Sequence, residues 1–151
     1  MVYVFICFGI IILDFITKKW AQAVLKAVET VPLINGVFHL TYVENRGAAF
    51  GMLANMRFVF IALTLAVITA ICVWAVKQKN KPPILCLAMS FTLGGAIGNM
   101  IDRIACGYVT DLFDFRLINF PVFNVADIFV CIGAALFAVF FIFEDKFEKK
   151  D

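Results

Sequence analysis

Apolar residues run along this chain in four long blocks, and polar residues are pushed to their ends. Phe58–Val76 is the clearest block, 19 residues without a charge. At a helical rise of about 1.5 Å per residue it nearly matches a hydrocarbon core of about 30 Å. Ile84–Ile101 follows with 18 residues, and its far end carries Gly94, Gly95 and Gly98, which permit close helix approach. Ile128–Phe143 adds 16 Phe-rich residues and gains length when extended back through Phe123–Asp127. Val2–Trp20 is the fourth block, interrupted by Asp14. A backbone in hydrocarbon must satisfy its own hydrogen bonds, so each block predicts a helix. The expected fold class is an all-α membrane protein with four transmembrane helices, at about 2–20, 58–76, 84–101 and 128–143. Together they form a single integral membrane domain over 1–151.

Four crossings leave both termini on one side. The short loop Lys77-Gln78-Lys79-Asn80-Lys81 carries three lysines and no acid, which assigns it to the cytoplasm. The connections 21–57 and 102–127 then face outward. Val37–Val43 alternates, with Phe38, Leu40 and Tyr42 on one face and His39 and Thr41 on the other. That period of two predicts a small β or extended surface element within 21–57. His39 reads as a solvated side chain on its polar face. The second connection holds Phe113, Phe115, Leu117, Ile118, Phe120 and Phe123 and reads as an apolar loop in the membrane interface.

Composition agrees with the pattern. The chain is 64% hydrophobic and 16% charged, against roughly 45–50% and 25% for soluble proteins. Its mean hydropathy is +0.98. A net charge of +2, with no aromatic-interleaved basic cluster, gives no sign of a nucleic-acid partner. The five cysteines have no C-x-x-C spacing, and four lie in apolar blocks where cysteine acts as a small hydrophobe.

Ionisable and amide groups are expensive at membrane depth, so their placement is informative. The outward helix ends gather Asp14, Lys18, Asn99, Asp102, Arg103, Asp111, Asp114, Asn124 and Asp127. One histidine cannot build the usual zinc site, and the single serine, Ser90, lies mid-helix, far from any base. Carboxylates remain. Two of them held close together cannot both ionise cheaply, so they share a proton and can hydrolyse an amide without a metal. Physics alone does not choose the two. Asp14 has Lys18 four residues on, Asp102 adjoins Arg103, and Asp127 begins a helix. Asp111 and Asp114 sit in the apolar loop with no adjacent base.

Five blocks in order carry a resemblance to a known family. Asp14-Phe15-Ile16-Thr17-Lys18, Asn45-Arg46-Gly47-Ala48-Ala49-Phe50 and the run Gly94-Gly95-Ala96-Ile97-Gly98-Asn99-Met100-Ile101-Asp102-Arg103 come first. Gly107-Tyr108-Val109-Thr110-Asp111 and Phe123-Asn124-Val125-Ala126-Asp127 follow. Together these resemble the lipoprotein signal peptidases (signal peptidase II), bacterial intramembrane aspartyl proteases. The resemblance implies Asp111 and Asp127 as the catalytic aspartates. It implies that Asn45, Gly47, Asn99, Arg103, Asn124 and Ala126 shape the substrate site, with Asp14, Lys18 and Asp102 supporting it. It further implies a substrate, a prolipoprotein carrying a diacylglyceryl group on its lipobox cysteine, cut just before that cysteine. Inhibition by globomycin, no metal or organic cofactor, and a site near the outer face of the bacterial cytoplasmic (inner) membrane belong to the same implication. A monomer among membrane lipids is expected. Of the two acids, Asp111 is expected to hold the raised pKa. The alternative class is a small transporter or channel subunit with proton-binding acids. Against it, the acids gather at one edge rather than at the midplane.

Overall fold

The computed structural model describes residues 1–47, 56–78 and 81–143. Helix α1 (Val2–Trp20) runs on through a π-helical turn (Ala21–Leu25) into the short α2 (Lys26–Val28). The connection expected from residue 21 therefore begins as helix, not as loop. Next come α3 (Arg57–Lys77), α4 (Pro83–Ala105) and α5 (Val125–Ile142). These three are long and apolar enough to cross a membrane, with mean hydropathies of 2.7, 1.7 and 2.6. Helix α1 matches them in length but carries Asp14, Lys18 and Lys19.

The helix ends have local causes. Helix α4 starts at Pro83, whose missing N–H costs nothing in a first turn, and runs to Ala105. That is four residues beyond the apolar block, and it puts Asp102 and Arg103 on the helix. Helix α5 starts at Val125 because Asn124 caps it, so the extension back toward Phe123 is taken up.

Helix α4 is the hub, packed against α1, α3 and α5. Its small residues make this possible. A Cβ at Gly95 would collide with the Ala126 carbonyl oxygen, and one at Gly98 would stand 2.7 Å from Asp14 Oδ2. Helix α3 buries no residue. It meets α5 through Trp74, whose ring centroid lies 6.0 Å from that of Phe137 and 5.8 Å from that of Phe141. Its apolar side chains, such as Leu63, Leu65 and Val67, are largely exposed, as suits a lipid-facing helix.

The sheet has three antiparallel strands in the order β1 (Thr30–Ile34), β2 (Phe38–Asn45), β3 (Val109–Phe115). An Asn35-Gly36 turn joins β1 to β2, with Gly36 at φ +72, a conformation glycine adopts without steric cost. Strand β2 is the element the alternation predicts. Strand β3 is a correction, because the second connection was expected as loop. In β3, Leu112 packs with Ala21 and Leu25 under one face, while Phe113 stacks near Phe38 and Phe123.

Two side chains differ from expectation through this sheet. His39 is 7% exposed rather than solvated, and its Nε2 accepts from the Gly36 N–H at 3.1 Å. It faces Asp114 across the β2–β3 pair. Asp114 is not without a base: Arg116 Nε donates to it at 2.7 Å, as does Thr41 Oγ1 at 2.7 Å. Arg116 opens the 3-10 turn Arg116–Ile118 just past the end of β3, and that turn brings its side chain back to Asp114. Burial alone would push the Asp114 carboxyl up, but Thr41 and the Arg116 cation hold it below the usual carboxylate range.

Candidate active site

Strand β3 carries Asp111 and the first turn of α5 carries Asp127, and Asn124 ties the two together. As N-cap, Asn124 accepts from the Asp127 N–H at 3.0 Å through Oδ1, and Asp127 Oδ2 accepts from the Asn124 N–H at 3.2 Å. This reciprocal capping box fixes the Asp127 side chain. With its oxygen occupied, the Asn124 amide nitrogen donates to Asp111 Oδ1 at 2.6 Å and to Asn99 Oδ1 at 3.2 Å.

Two further amides complete the pattern. Asn99 donates to Asp127 Oδ1 at 2.7 Å while its oxygen accepts from Lys18 Nζ at 2.9 Å. Asn45 donates to Asp111 Oδ2 at 2.9 Å while its oxygen accepts from the Gly47 N–H at 3.0 Å. All three asparagines thus commit the carbonyl elsewhere and turn the N–H toward a carboxylate. The network itself assigns each amide orientation.

Behind this layer lies a charged hub. Lys18 Nζ contacts Asp14 Oδ2 at 2.7 Å and Asp102 Oδ2 at 3.2 Å. Asp14 Oδ1 accepts from the Ala126 N–H at 2.9 Å, and Asp102 Oδ2 from the Thr110 N–H at 3.1 Å. One hub therefore pins α1, α4, α5 and β3 together. Removing one member of such a buried set typically costs about 3–5 kcal/mol, since it strands an uncompensated charge.

The two carboxylates differ in setting. Asp111 is 1% exposed. Loss of solvent, and secondly the neighbouring Asp127 charge, push its carboxyl from 3.8 up to about 7, against the pull of the Asn45 and Asn124 N–H groups. This is the residue expected to hold the raised pKa. Asp127 is less buried and lines a cavity of about 540 Å³. The cavity walls are Phe60 of α3, the run Phe120–Phe123, and Ile128, Cys131 and Ile132 along α5. Asn45, Gly47 and Arg103 also reach it. The Arg103 guanidinium lies 5.0 Å from the Phe60 ring centroid, and its Nη1 donates to the Asn99 carbonyl at 3.4 Å. A carboxylate pair beside an apolar cavity can polarise water next to a greasy ligand.

Eleven sequence-derived candidates meet in this one network: Asp14, Lys18, Asn45, Gly47, Asn99, Asp102, Arg103, Asp111, Asn124, Ala126 and Asp127. Asp114 lies apart, with Thr41 and Arg116. Missing from the sequence reading were the cavity walls Phe60, Ile128, Cys131 and Ile132. In apolar helices such residues carry no mark that separates a wall from a lipid-facing side chain.

Fold and site together define a membrane enzyme. A bacterial membrane enzyme solved by the in meso method at 2.3 Å resolution matches with a TM-score of 0.89 and 27% identity, over 99% of this chain and 93% of that one. A second, solved at 1.9 Å, matches with 0.82 and 28%, over 91% and 90%. The chain belongs to the signal peptidase II family, whose description, signal peptidase (SPase) II, covers residues 6–143, and it is a peptidase. The lipoprotein signal peptidase of Brevibacillus brevis is 47% identical over 90% of this chain and 91% of its own length. That of Clostridioides difficile is 42% identical over 99% of both. Family membership sets aside the transporter or channel alternative.

Proposed function

We propose that Asp111 and Asp127 hydrolyse the peptide bond just before a diacylglyceryl-modified cysteine in a prolipoprotein and so release its signal peptide. The observation that carries this is the Asn124 tie, which holds a buried and a cavity-facing carboxylate in one hydrogen-bonded unit. A water held between them gives a proton to Asp127 and attacks the carbonyl carbon. Protonated Asp111 donates to the carbonyl oxygen. As the tetrahedral intermediate collapses, the proton on Asp127 passes to the leaving amine. No metal or organic cofactor enters the scheme. Arg103 and the apolar walls orient the lipid-bearing substrate and keep bulk water out.

The chain acts as one domain with four membrane spans, α1 counted among them. Both termini lie in the cytoplasm, and the site is near the outer face of the bacterial cytoplasmic membrane. The lysine-rich loop after α3 supports that orientation. The monomer is the working unit, and globomycin competes for the cavity.

Mass spectrometry of a diacylglyceryl-modified precursor incubated with the purified protein in detergent tests this. Cleavage before the modified cysteine is expected. Globomycin should block it, and Asp111→Asn or Asp127→Asn should abolish it without unfolding the protein. Wild-type turnover in either variant overturns the assignment.

A further inference from the structure

Lys18 is 2% exposed and stands outside the cavity, yet it touches the apparatus that holds the carboxylates. Its three ammonium protons meet three acceptors: Asp14 Oδ2, Asp102 Oδ2 and Asn99 Oδ1. The third contact differs in kind, because the amide it reaches grips Asp127 at its other end. An amide carbonyl can face an ammonium group, but its NH2 cannot. With Lys18 present, Asn99 has a single tolerable orientation. Reversed, it would aim a carbonyl oxygen at Asp127 Oδ1, lone pair against lone pair, which only a protonated Asp127 accepts.

We propose that Lys18 is a positioning residue of the peptidase reaction, acting through Asn99 to hold the Asp127 carboxylate in place for taking the proton of the attacking water. This rests on Asp111 and Asp127 being that pair. The charged groups facing them are Asp14 and Lys18 from α1, and Asp102 and Arg103 from α4. Arg103 bears electrostatically on Asp111, Asp127 and Asp102, and the Lys18 charge favours ionised Asp111. The signs then follow. Deleting the Lys18 charge removes a pull toward ionised Asp111, so the pH profile moves up. Deleting the Asp102 charge removes, beside Lys18, a charge like those of the pair, so the profile moves down. Asp102→Asn removes the charge but keeps the contacts, because one oxygen, Oδ2, accepts from both Lys18 and the Thr110 N–H, and an amide oxygen can take both.

The test is kcat and KM against pH for a diacylglyceryl-modified precursor, with wild type, Lys18→Met, Lys18→Arg and Asp102→Asn in detergent. Lys18→Met should lower kcat about 100-fold, leave KM within about twofold, and move the bell upward by about one pH unit. Asp102→Asn should move it downward, and Lys18→Arg should hold it in place. A wild-type bell with both Lys18→Met and Asp102→Asn unmoved overturns the inference and leaves the proposed activity intact. Absence of cleavage by wild type overturns both. Where Lys18→Met fails to fold, the Asp102→Asn profile alone decides, and an unmoved bell counts against the proposal.

Discussion

Asn124 Nδ2 lies 2.6 Å from Asp111 Oδ1, and the same residue caps the helix that carries Asp127. One side chain therefore does two separable jobs. Asn124→Ser keeps a capping oxygen but has no amide to reach Asp111. Its turnover should fall about 100-fold, with less loss of thermal stability than in Asn124→Ala, which also forfeits about 1 kcal/mol of capping. Turnover and thermal unfolding of the two variants in detergent check this; equal stability loss would mean that the cap contributes nothing.

The raised Asp111 carboxyl has a pH signature. Its folded value, about 7, lies above the ordinary 3.8, so the native state binds more protons than the unfolded state between those values. The stability it contributes is complete below about pH 4 and is lost as pH rises through about 7. In the proposed scheme the acid is protonated Asp111, so kcat/KM should fall on the alkaline side through the same range. Paired activity and melting profiles from pH 5 to pH 8 measure both.

Gly98 and Gly9 give opposite expectations for one chemical change. A Cβ at Gly98 meets Asp14 Oδ2 at 2.7 Å, on the hub that holds Lys18, whereas a Cβ at Gly9 meets nothing within 4 Å. Gly98→Ala should destabilise by about 1–3 kcal/mol through overpacking. Gly9→Ala should be neutral or stabilising by about 0.5–1 kcal/mol, from the better helix propensity of alanine. Melting temperatures in one detergent compare them directly.

Cys131 stands one helical turn beyond Asp127 and lines the cavity. Filling that wall should hinder substrate entry more than chemistry. For Cys131→Trp, KM for a lipid-modified precursor should rise about tenfold, near 1.4 kcal/mol of binding, with kcat changed less. A fall in kcat alone would place the lipid-bearing part elsewhere.

Much of this molecule is written in its residue pattern. The uncharged block Phe58–Val76 became α3 with one further residue at each end, because a bilayer leaves a backbone few other choices. The alternation from Phe38 became β2. Strand β3 was hidden because Val109–Phe115 is covered on both sides, so its polar residues Thr110, Asp111 and Asp114 fall on both faces and break the alternation. Asp114 found its base two residues on, where the chain leaves β3 and turns, a relation visible only once the end of the strand is known. His39 carried the mark of an exposed face and is instead covered within the sheet. The pair Asp111 and Asp127 came from motif order. Residue chemistry supplied only the conclusion that carboxylates remain, because distance in the folded chain is what couples two acids.

The rings of Trp74, Phe137 and Phe141 pack the seam between α3 and α5 at one end, while the cavity at Phe60 and Asp127 occupies the other. A precursor anchored by its acyl chains would therefore reach the carboxylates sideways, from between the helices at the open end of that seam.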